Sequence, residues 1–376
     1  MSARTGHPGN PGRRRANGRP RPVARPFDAA ERPSAGRISS RDVAAAAGVS
    51  QSTVSRVIND RSNVRPETRA RVERALVALD YVPNAAARSL ITHRTRLLGL
   101  VVSNITNRFY PEIIDAITSK AMDAGYTVIL GSAGERVESQ AAYLRILAEH
   151  RAEGVILTST LLGDVADLEA VARSGLSIVL ANRPRDDVPL DSVALDNEGA
   201  GRLATSHLIE HGCRSIAYVG GRADAPTNRD RHAGFVAAMT TAGIPIDERL
   251  VSSGEFTREF GYEQTRRLLS SNHPDAIVAG DDTVALGVLD AVADAGRRVP
   301  DEVAVVGFDD IAAASIRSVW LTTVSSSARD MGHIALSLLL DRTSGRYSGL
   351  PRRVVLPARL VIRGSCGRHE ARRGSP

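Results

Sequence analysis

The sequence predicts an α/β protein in which a small helical unit precedes a larger part built from parallel sheets. Two observations predict this. Residues 42–59 (DVAAAAGVSQSTVSRVIN) contain two short apolar helical periods joined by a Gly-Val-Ser turn. From Leu97 onward, short and continuously hydrophobic runs alternate with helical segments, which is typical of strands covered by helices on both faces.

Length and composition limit the class of protein. The chain has 376 residues, of which 24% are charged and 42% hydrophobic, enough for two or three soluble domains. No apolar run approaches the roughly 18 residues of a membrane span, and no apolar segment follows the N-terminal arginines, so we expect no export signal. The two cysteines, Cys213 and Cys366, predict neither a disulfide framework nor a metal cluster. These features indicate a cytoplasmic protein.

The positive charge is concentrated at the N-terminus. Residues 1–37 hold nine arginines and two acids, and residues 38–96 hold ten arginines and five acids, within a chain of net charge +7. This distribution predicts a polyanionic partner for the N-terminal end. Because residues 1–37 are rich in Arg, Pro and Gly, we expect them to be disordered. They could be a basic arm that adds DNA affinity or an extension without a role.

The first two helices are defined by their caps and their apolar faces. Ser39 and Ser40 are candidate caps of the first helix, Gly48 marks its end, and Ser50 can cap the second. We expect both helices to bury one small apolar side, which contains Val43, Ala44, Ala47, Val54, Val57 and Ile58.

A third helix completes a small core. Pro66 and Glu67 open it, and its apolar residues keep helical spacing at Val72, Ala75, Leu76 and Leu79. A short helical run, residues 85–90, follows Pro83. Because so short a helix is marginal alone, it should form only when it is held against something.

The free face of the second helix suggests a DNA-reading role. A short helix fixed by a turn, with hydrogen-bonding side chains along its exposed side, suits the major groove. The alternative is an ordinary helical hairpin with a solvated polar face. The residues of this face are Gln51, Ser52, Thr53, Ser55, Arg56 and Asn59.

The larger part should form two lobes around a cleft, because its strand–helix pattern is long for one sheet. Ligands of such folds bind beyond the carboxyl ends of the strands. The predicted strands are Leu97–Val102, Tyr126–Leu130, Gly154–Leu157, Ser177–Leu180, Ile216–Val219, Ala276–Val278 and Val303–Val306. The predicted helices begin near Tyr110, Glu135, Asp164, Asn197, Thr227, Thr257, Asp282 and Ser327.

The segments DVAAAAGVS, TVSRVIN, VRPETRARV and YVPNAAARSL resemble the headpiece and hinge helix of the LacI/GalR family of bacterial transcription regulators. The resemblance implies a helix-turn-helix whose recognition helix places Gln51, Ser52 and Arg56 in the major groove. It also implies that the paired hinge helices of a dimer lie in the minor groove, where Leu90 wedges into a base step. Ser39, Asn84 and Ala87 are further expected DNA contacts. Ile91 departs from the basic residue that several relatives carry.

The remainder resembles the effector-binding core of the same family, which is built like a periplasmic sugar-binding protein. The motifs include RHAGF (231–235) and RRVPDEVAVVGFDDI (297–311). The resemblance implies a small polar effector, most simply a sugar, between the lobes. The implied effector contacts are Phe109, Tyr110, Asn182, Arg231, Phe256, Asp281 and Asp309. Relatives often have Asp in place of Asn182 and Asn in place of Asp281, and Ser326 stands where Gln is usual, so the effector's identity stays open.

Catalytic and metal-binding motifs are not found. The sequence lacks a GxSxG elbow, an HExxH motif and a P-loop. His207 and His211 are four residues apart on one helix, but no suitable cysteine or acidic pair joins them, so we expect two histidines on a helix that faces partly to solvent. We therefore expect no cofactor, no metal and no enzymatic activity. Rival interpretations are an exported ligand-carrying protein and an enzyme on a doubly wound sheet.

The expected organisation has five parts. Residues 1–37 and 363–376 are disordered tails, 38–82 the DNA-binding domain, 83–96 the hinge helix and linker, and 97–362 the effector-binding and dimerisation core. The chain is expected to be a homodimeric regulator, most simply a repressor, that binds a near-palindromic double-stranded operator and no membrane.

Overall fold

The computed structural model describes residues 38–58, 63–81, 94–158, 175–185 and 187–367. Several predictions lie outside these ranges: the contacts of Asn59, Asn84, Ala87 and Leu90, the tail 1–37, most of the hinge, and the helix near Asp164. The chain divides into two compact units, Met1–Ile91 and Thr92–Pro376. The division falls within the predicted hinge and linker.

The N-terminal unit contains the three expected helices. They are α1 (Ser40–Ala47), α2 (Gln51–Ile58) and α3 (Pro66–Ala78). Their buried side chains form one small core, in which Val43, Val54 and Val72 are completely buried. The αL conformation of Gly48, with φ of 63°, ends α1 and makes the turn to α2.

The C-terminal unit contains two six-stranded sheets, each of which defines a lobe. Lobe 1 has the strand order β11-β5-β4-β3-β1-β2, and lobe 2 has the order β12-β10-β9-β8-β6-β7. The strands of lobe 1 are β1 (Leu97–Val102), β2 (Thr127–Ser132), β3 (Gly154–Leu157), β4 (Ser177–Ala181), β5 (Asp191–Leu195) and β11 (Arg353–Leu356). Those of lobe 2 are β6 (Ile216–Val219), β7 (Val251–Ser252), β8 (Ala276–Ala279), β9 (Ala304–Asp309), β10 (Thr322–Ser325) and β12 (Arg359–Val361).

Helices cover both sheets. In lobe 1, α4 (Tyr110–Asp123), α5 (Val137–Glu149) and α10 (Ala328–Thr343) pack against the strands. In lobe 2, α6 (Asn197–Glu210) pairs with α7 (Pro226–Thr241), and α8 (Arg258–Ser271) pairs with α9 (Asp282–Asp294). No described helix has both the length and the apolar character that crossing a bilayer would require.

The chain passes between the lobes three times in the described residues. It crosses from β5 to α6, from β10 to α10, and from β11 to β12. The first and third crossings are joined where Asp196 N–H donates to the Leu356 carbonyl oxygen over 3.0 Å. Such neighbouring crossovers allow the lobes to change their relative angle.

The predicted strands are confirmed with shifts of a few residues, whereas five strands were missed. These are β5, β7, β10, β11 and β12. The pairs are parallel except for β10 with β12, which is antiparallel. Strand β5 cannot be recognised from a hydrophobic run because it begins at Asp191. The carboxylate of Asp191 is fully buried and is bound by Arg342 and Arg352 from distant segments.

One sequence prediction was wrong. The tail predicted from residue 363 is folded as far as Gly367, because the Val305 N–H donates to the Ser365 carbonyl and Cys366 is buried against lobe 2. Helix α6 faces partly to solvent, as expected, but His207 lies on its buried side: it is only 7% exposed and its Nε2 lies 3.2 Å from Cys366 Sγ. His211, in contrast, is exposed.

Candidate functional site

The exposed face of α2 is built by local capping and by the burial of its other side. Ser50 caps the helix, since its Oγ accepts the Thr53 N–H over 3.2 Å. Val54 and Val57 are buried, so Gln51, Ser52 and Arg56 are left exposed. Gln51 Nε2 donates to Ser40 Oγ over 2.8 Å, which ties α2 to α1. Thr53 and Ser55 are half-buried at the margin of this face.

Ser39 is the N-cap of α1, as expected. Its N–H and its Oγ each donate to the Asp42 carboxylate over 2.8 Å. These bonds to the backbone and side chain of Ser39 lower the pKa of Asp42 below its ordinary value. Asp42 is therefore ionised at neutral pH, which suits the positive end of the helix dipole.

All seven predicted effector residues line one pocket between the lobes. Lobe 1 contributes Phe109, Tyr110 and Asn182, and lobe 2 contributes Arg231, Phe256, Asp281 and Asp309. Three further lining residues were missed by the sequence analysis: Asn107, Arg183 and Thr227. The free volume among these side chains is about 20 Å³, little more than one water needs. A larger ligand therefore requires the lobes or side chains to move.

Arg231 is the centre of the pocket's hydrogen bonds. Its Nη2 donates to Asp309 Oδ1 over 2.8 Å, its Nη1 to the Gly280 carbonyl over 2.7 Å, and its Nε to Asn197 Oδ1 over 2.9 Å. The guanidinium also lies 4.6 Å from the Phe308 ring centre. Arg231 is 3% exposed. A buried cation held by three acceptors and a ring has a fixed position.

Asp281 connects the two lobes. It caps α9 by accepting the Val284 N–H over 2.8 Å with Oδ1. Its Oδ2 accepts from Asn107 Nδ2 of lobe 1 over 3.2 Å. Burial, followed by the nearby charge of Asp309, raises the pKa of Asp281 to about 6. The carboxyl group is thus half-protonated near pH 6, about one unit below neutral.

Arg183 of lobe 1 is a second buried cation at the pocket, in addition to Arg231 of lobe 2. Its Nη1 is 3.0 Å from Glu135 Oε1, and its guanidinium carbon lies 5.4 Å from the Phe256 ring centre in lobe 2. Its neighbour Asn182 has a left-handed backbone with φ of 70° and donates its N–H to the Val193 carbonyl. The signal for Arg183 was its position directly after Asn182, at the end of a strand.

Aromatic side chains close the pocket on both sides. Phe109 and Tyr110 are buried with ring centres 5.3 Å apart, and the Tyr110 hydroxyl lies 2.6 Å from Ser103 Oγ. Phe256 packs against Gly221, where a Cβ atom would lie only 2.1 Å from the ring. The pocket therefore offers apolar ring faces, fixed donors and carboxylate acceptors. Groups of these three kinds are chemically complementary to small molecules that carry several hydroxyl groups.

Two parts of the chain each match the model of a known protein family. Residues 40–84 match the bacterial regulatory proteins of the lacI family, and residues 205–366 match a periplasmic binding protein-like domain. The HTH-type transcriptional repressor PurR of Erwinia tasmaniensis is 36% identical over 309 residues, which cover 81% of this chain and 90% of that protein.

Two solved structures are similar over most of the chain. The transcriptional regulator CelR–cellobiose complex has 35% identity and a TM-score of 0.67, with 88% of this chain and 100% of that chain covered. The Lac repressor dimer bound to operator and the anti-inducer ONPF has 29% identity and a TM-score of 0.79, with 88% and 99% covered. With an N-terminal helix-turn-helix unit followed in the sequence by a two-lobed core, this chain belongs to the lacI family and is a DNA-binding transcriptional regulator.

Proposed function

We propose that a sugar, bound in the pocket between the lobes, sets the affinity of this regulator for its operator. The observation that carries the proposal is the convergence of seven predicted residues from both lobes on one pocket. A ligand that touches both lobes has different contacts in their open and closed arrangements. Only such differential contacts can shift the equilibrium between two conformations.

The chemistry of the pocket favours a polyhydroxylated effector. Arg231 and Asn182 supply donors, Asp281 and Asp309 supply acceptors, and Phe256 supplies a ring face. Pyranose and furanose rings combine hydroxyl edges with an apolar face and so use all three kinds of contact. The cellobiose complex of the similar CelR supports this class of ligand.

For the DNA-binding part, we propose that α2 is the recognition helix. Gln51, Ser52 and Arg56 would read base edges, because they are its exposed polar side chains. We propose backbone or base contacts for Ser39, Thr53, Ser55 and Asn59, and minor-groove contacts for the hinge residues Asn84, Ala87 and Leu90. Asn59 and the three hinge residues lie outside the described residues.

We further propose that the chain acts in the cytoplasm as a homodimer on a near-palindromic site. A two-fold protein requires a two-fold operator, and the similar Lac repressor structure is a dimer on its operator. The change in lobe angle would separate or bring together the two hinge helices. A coupling of about 1–3 kcal/mol would suffice. We propose that the chain catalyses no reaction.

The experiment has two stages. A random-oligonucleotide selection with the purified full chain at moderate salt identifies the operator, and a thermal-shift screen of sugars, polyols and nucleobases identifies ligands. Each ligand is then titrated into the operator complex while fluorescence anisotropy is measured. We expect a sugar to change operator affinity at least fivefold. The proposal would be contradicted if the chain bound DNA without preference for any sequence, or if no ligand changed its affinity for the operator.

Asp309→Asn provides the matched variant for the second stage. The amide keeps the size of the side chain but weakens the contact with Arg231. We expect unchanged operator binding and a lost response to the sugar. A retained response would remove Asp309 from the proposed effector site.

A further inference from the structure

Asp282 is a buried carboxylate that does not line the pocket. It follows Asp281 directly at the start of α9, and its exposed fraction is 0%. Among the described residues, no lysine, arginine or histidine forms an ion pair with it. A buried carboxylate without a cation costs folding free energy, so the contacts that it makes need a physical explanation.

The contacts of Asp282 lead to the turn that follows β9. Its Oδ2 accepts the Ile311 N–H over 3.0 Å. Its Oδ1 accepts from the Thr323 hydroxyl over 2.6 Å. The Thr323 Oγ1 in turn accepts the Asp310 N–H over 3.4 Å. Two successive backbone amides of the turn are thus bound by Asp282, one directly and one through Thr323.

This turn has an unfavourable backbone conformation. Asp309 has φ of 100° and Asp310 has φ of 55°, both in the region that residues with a side chain rarely adopt. Such residues keep their conformation only when the surrounding contacts over-determine it. The hydrogen bonds that the Asp310 and Ile311 N–H groups donate supply such contacts.

The packing beneath the turn is fitted to the Asp282 side chain. Gly307 lies on β9 beside it, and a Cβ atom there would be only 2.2 Å from Asp282 Oδ1. Thr323 is paired with Gly307 across the sheet and is also completely buried. The absence of a side chain at Gly307 therefore makes room for the carboxylate between the two strands and the turn.

We propose that Asp282, together with Thr323, is a positioning residue that holds Asp309 in its orientation toward Arg231. The inference rests on the proposed role of Asp309 in binding the effector. Asp282 would act only through the backbone of the turn, since it does not line the pocket. Asp282 would thus support effector binding without contacting either the DNA or the ligand.

The segment that contains Thr323 leads directly into the second crossing between the lobes. Thr323 lies on β10, which ends at Ser325, just before the chain crosses to α10 in lobe 1. In this crossing, Ser326 Oγ donates to the Asp309 carbonyl oxygen over 3.4 Å. The turn that carries Asp309 is therefore held from α9, from β10 and from the crossing itself.

The test compares three single variants of the full-length chain. Thr323→Val removes the hydroxyl that links Asp310 to Asp282, and Thr323→Ser restores it. Thr205→Val is the matched control, because Thr205 is equally buried but its hydroxyl donates to the Gly201 carbonyl of its own helix, α6, and not to the turn. Affinities for glucose, ribose and cellobiose are measured by titration calorimetry.

We expect Thr323→Val to weaken the binding of whichever of these sugars binds the unaltered chain at least fivefold. Thr323→Ser and Thr205→Val should stay within twofold. Equal losses in Thr323→Val and Thr205→Val would mean a general loss of stability and would overturn the positioning role. An unchanged affinity in Thr323→Val would also overturn it.

A second measurement does not need a ligand. Hydrogen exchange at the Asp310 and Ile311 amides is compared among the unaltered chain, Thr323→Val, Asp282→Asn and Thr205→Val. We expect exchange to be at least tenfold faster in Thr323→Val and Asp282→Asn and unchanged in Thr205→Val. Unchanged exchange in Thr323→Val and Asp282→Asn refutes the proposal. If no sugar binds but exchange accelerates as expected, the support of the turn stands and the sugar effector fails.

Discussion

The N-terminal helix-turn-helix unit and the interlobe pocket are organised by contacts of very different range. In the N-terminal unit, the cap bonds of Ser39 and Ser50 join residues three positions apart. In the pocket, Arg231 binds partners 34, 49 and 78 residues away, and Asn107 binds Asp281 across 174 residues. Local contacts can be identified from sequence spacing, whereas the pocket exists only after both lobes have formed.

The largest expected effect concerns the pocket. Arg231→Ala removes three hydrogen bonds and leaves Asp309 without its cation, so we expect the free energy of unfolding of the C-terminal unit to fall by about 3–5 kcal/mol. Denaturant unfolding followed by circular dichroism measures this.

The control for Arg231→Ala is Arg202→Ala. Arg202 pairs with Glu198 on the surface of α6, where both side chains are more than half exposed, and such pairs contribute at most about 1 kcal/mol. Similar losses for the two variants would mean that the Arg231 contacts add no stability beyond those of a surface pair.

The next effect depends on pH. Because the pKa of Asp281 is raised to about 6, the folded chain binds this proton more tightly than the unfolded chain. The contribution of Asp281 to stability is therefore most favourable below pH 4 and is lost as the pH rises through 6. Asp281→Asn removes the part of the pH dependence that belongs to Asp281. The free energy of unfolding of the unaltered chain, measured relative to that of the variant, should therefore fall by up to about 3 kcal/mol from pH 4 to 8.

Urea unfolding at several pH values measures this difference. Asp301→Asn, at an exposed carboxylate, is the control and should show no comparable trend. A constant difference between the unaltered chain and Asp281→Asn would contradict the raised pKa. Asp282 contributes in the same direction, because burial raises its pKa well above the ordinary value, so Asp281→Asn retains part of the slope.

A smaller effect is expected at α2, the proposed recognition helix. Arg56→Ala should weaken binding to the selected operator by about 1–3 kcal/mol and relax the base preference at one position. A repeated oligonucleotide selection with the variant shows the preference directly. Arg74→Ala, at an exposed arginine of α3, should leave every base preference intact. An unaltered preference in Arg56→Ala would remove its base-reading role.

The smallest effect tests the local organisation of the N-terminal unit. Ser50→Ala removes the cap of α2 and should cost about 1 kcal/mol of stability, measured by thermal unfolding of this unit in the full chain. Ser52→Ala keeps the bond between Ser50 Oγ and Thr53 N–H, and we expect a change below about 0.5 kcal/mol. Equal losses of stability in Ser50→Ala and Ser52→Ala would show that the Ser50 cap does not stabilise α2 more than an ordinary surface serine.

The buried strands and the pocket were predicted unequally well. Continuous apolar runs located β1, β3 and β6 at their observed limits. Strand β10 (TTVS) was missed, because its two threonines are buried only through bonds to Asp282 and to the segment around Cys366. Polar residues that a distant partner satisfies give no hydrophobic signal along the chain.

The candidate pocket residues came from resemblance and not from spacing. The seven residues converge as expected, while Arg183 and Asn107 were missed because their partners, Glu135 and Asp281, lie 48 and 174 residues away. Asp281 and Asp282 are neighbours of the same type, yet one lines the pocket and the other supports a turn. No local pattern distinguishes them.

By itself, the sequence determined the three N-terminal helices, the alternation of buried strands and helices, and the basic N-terminal end. Apolar periodicity, caps and charge act over a few residues and can be recognised without coordinates. Only the tertiary structure decided which acid faces the pocket, which cation it meets and which amides hold the turn after β9. Those choices depend on strand ends and crossings that are far apart in the chain and meet only when both sheets have formed.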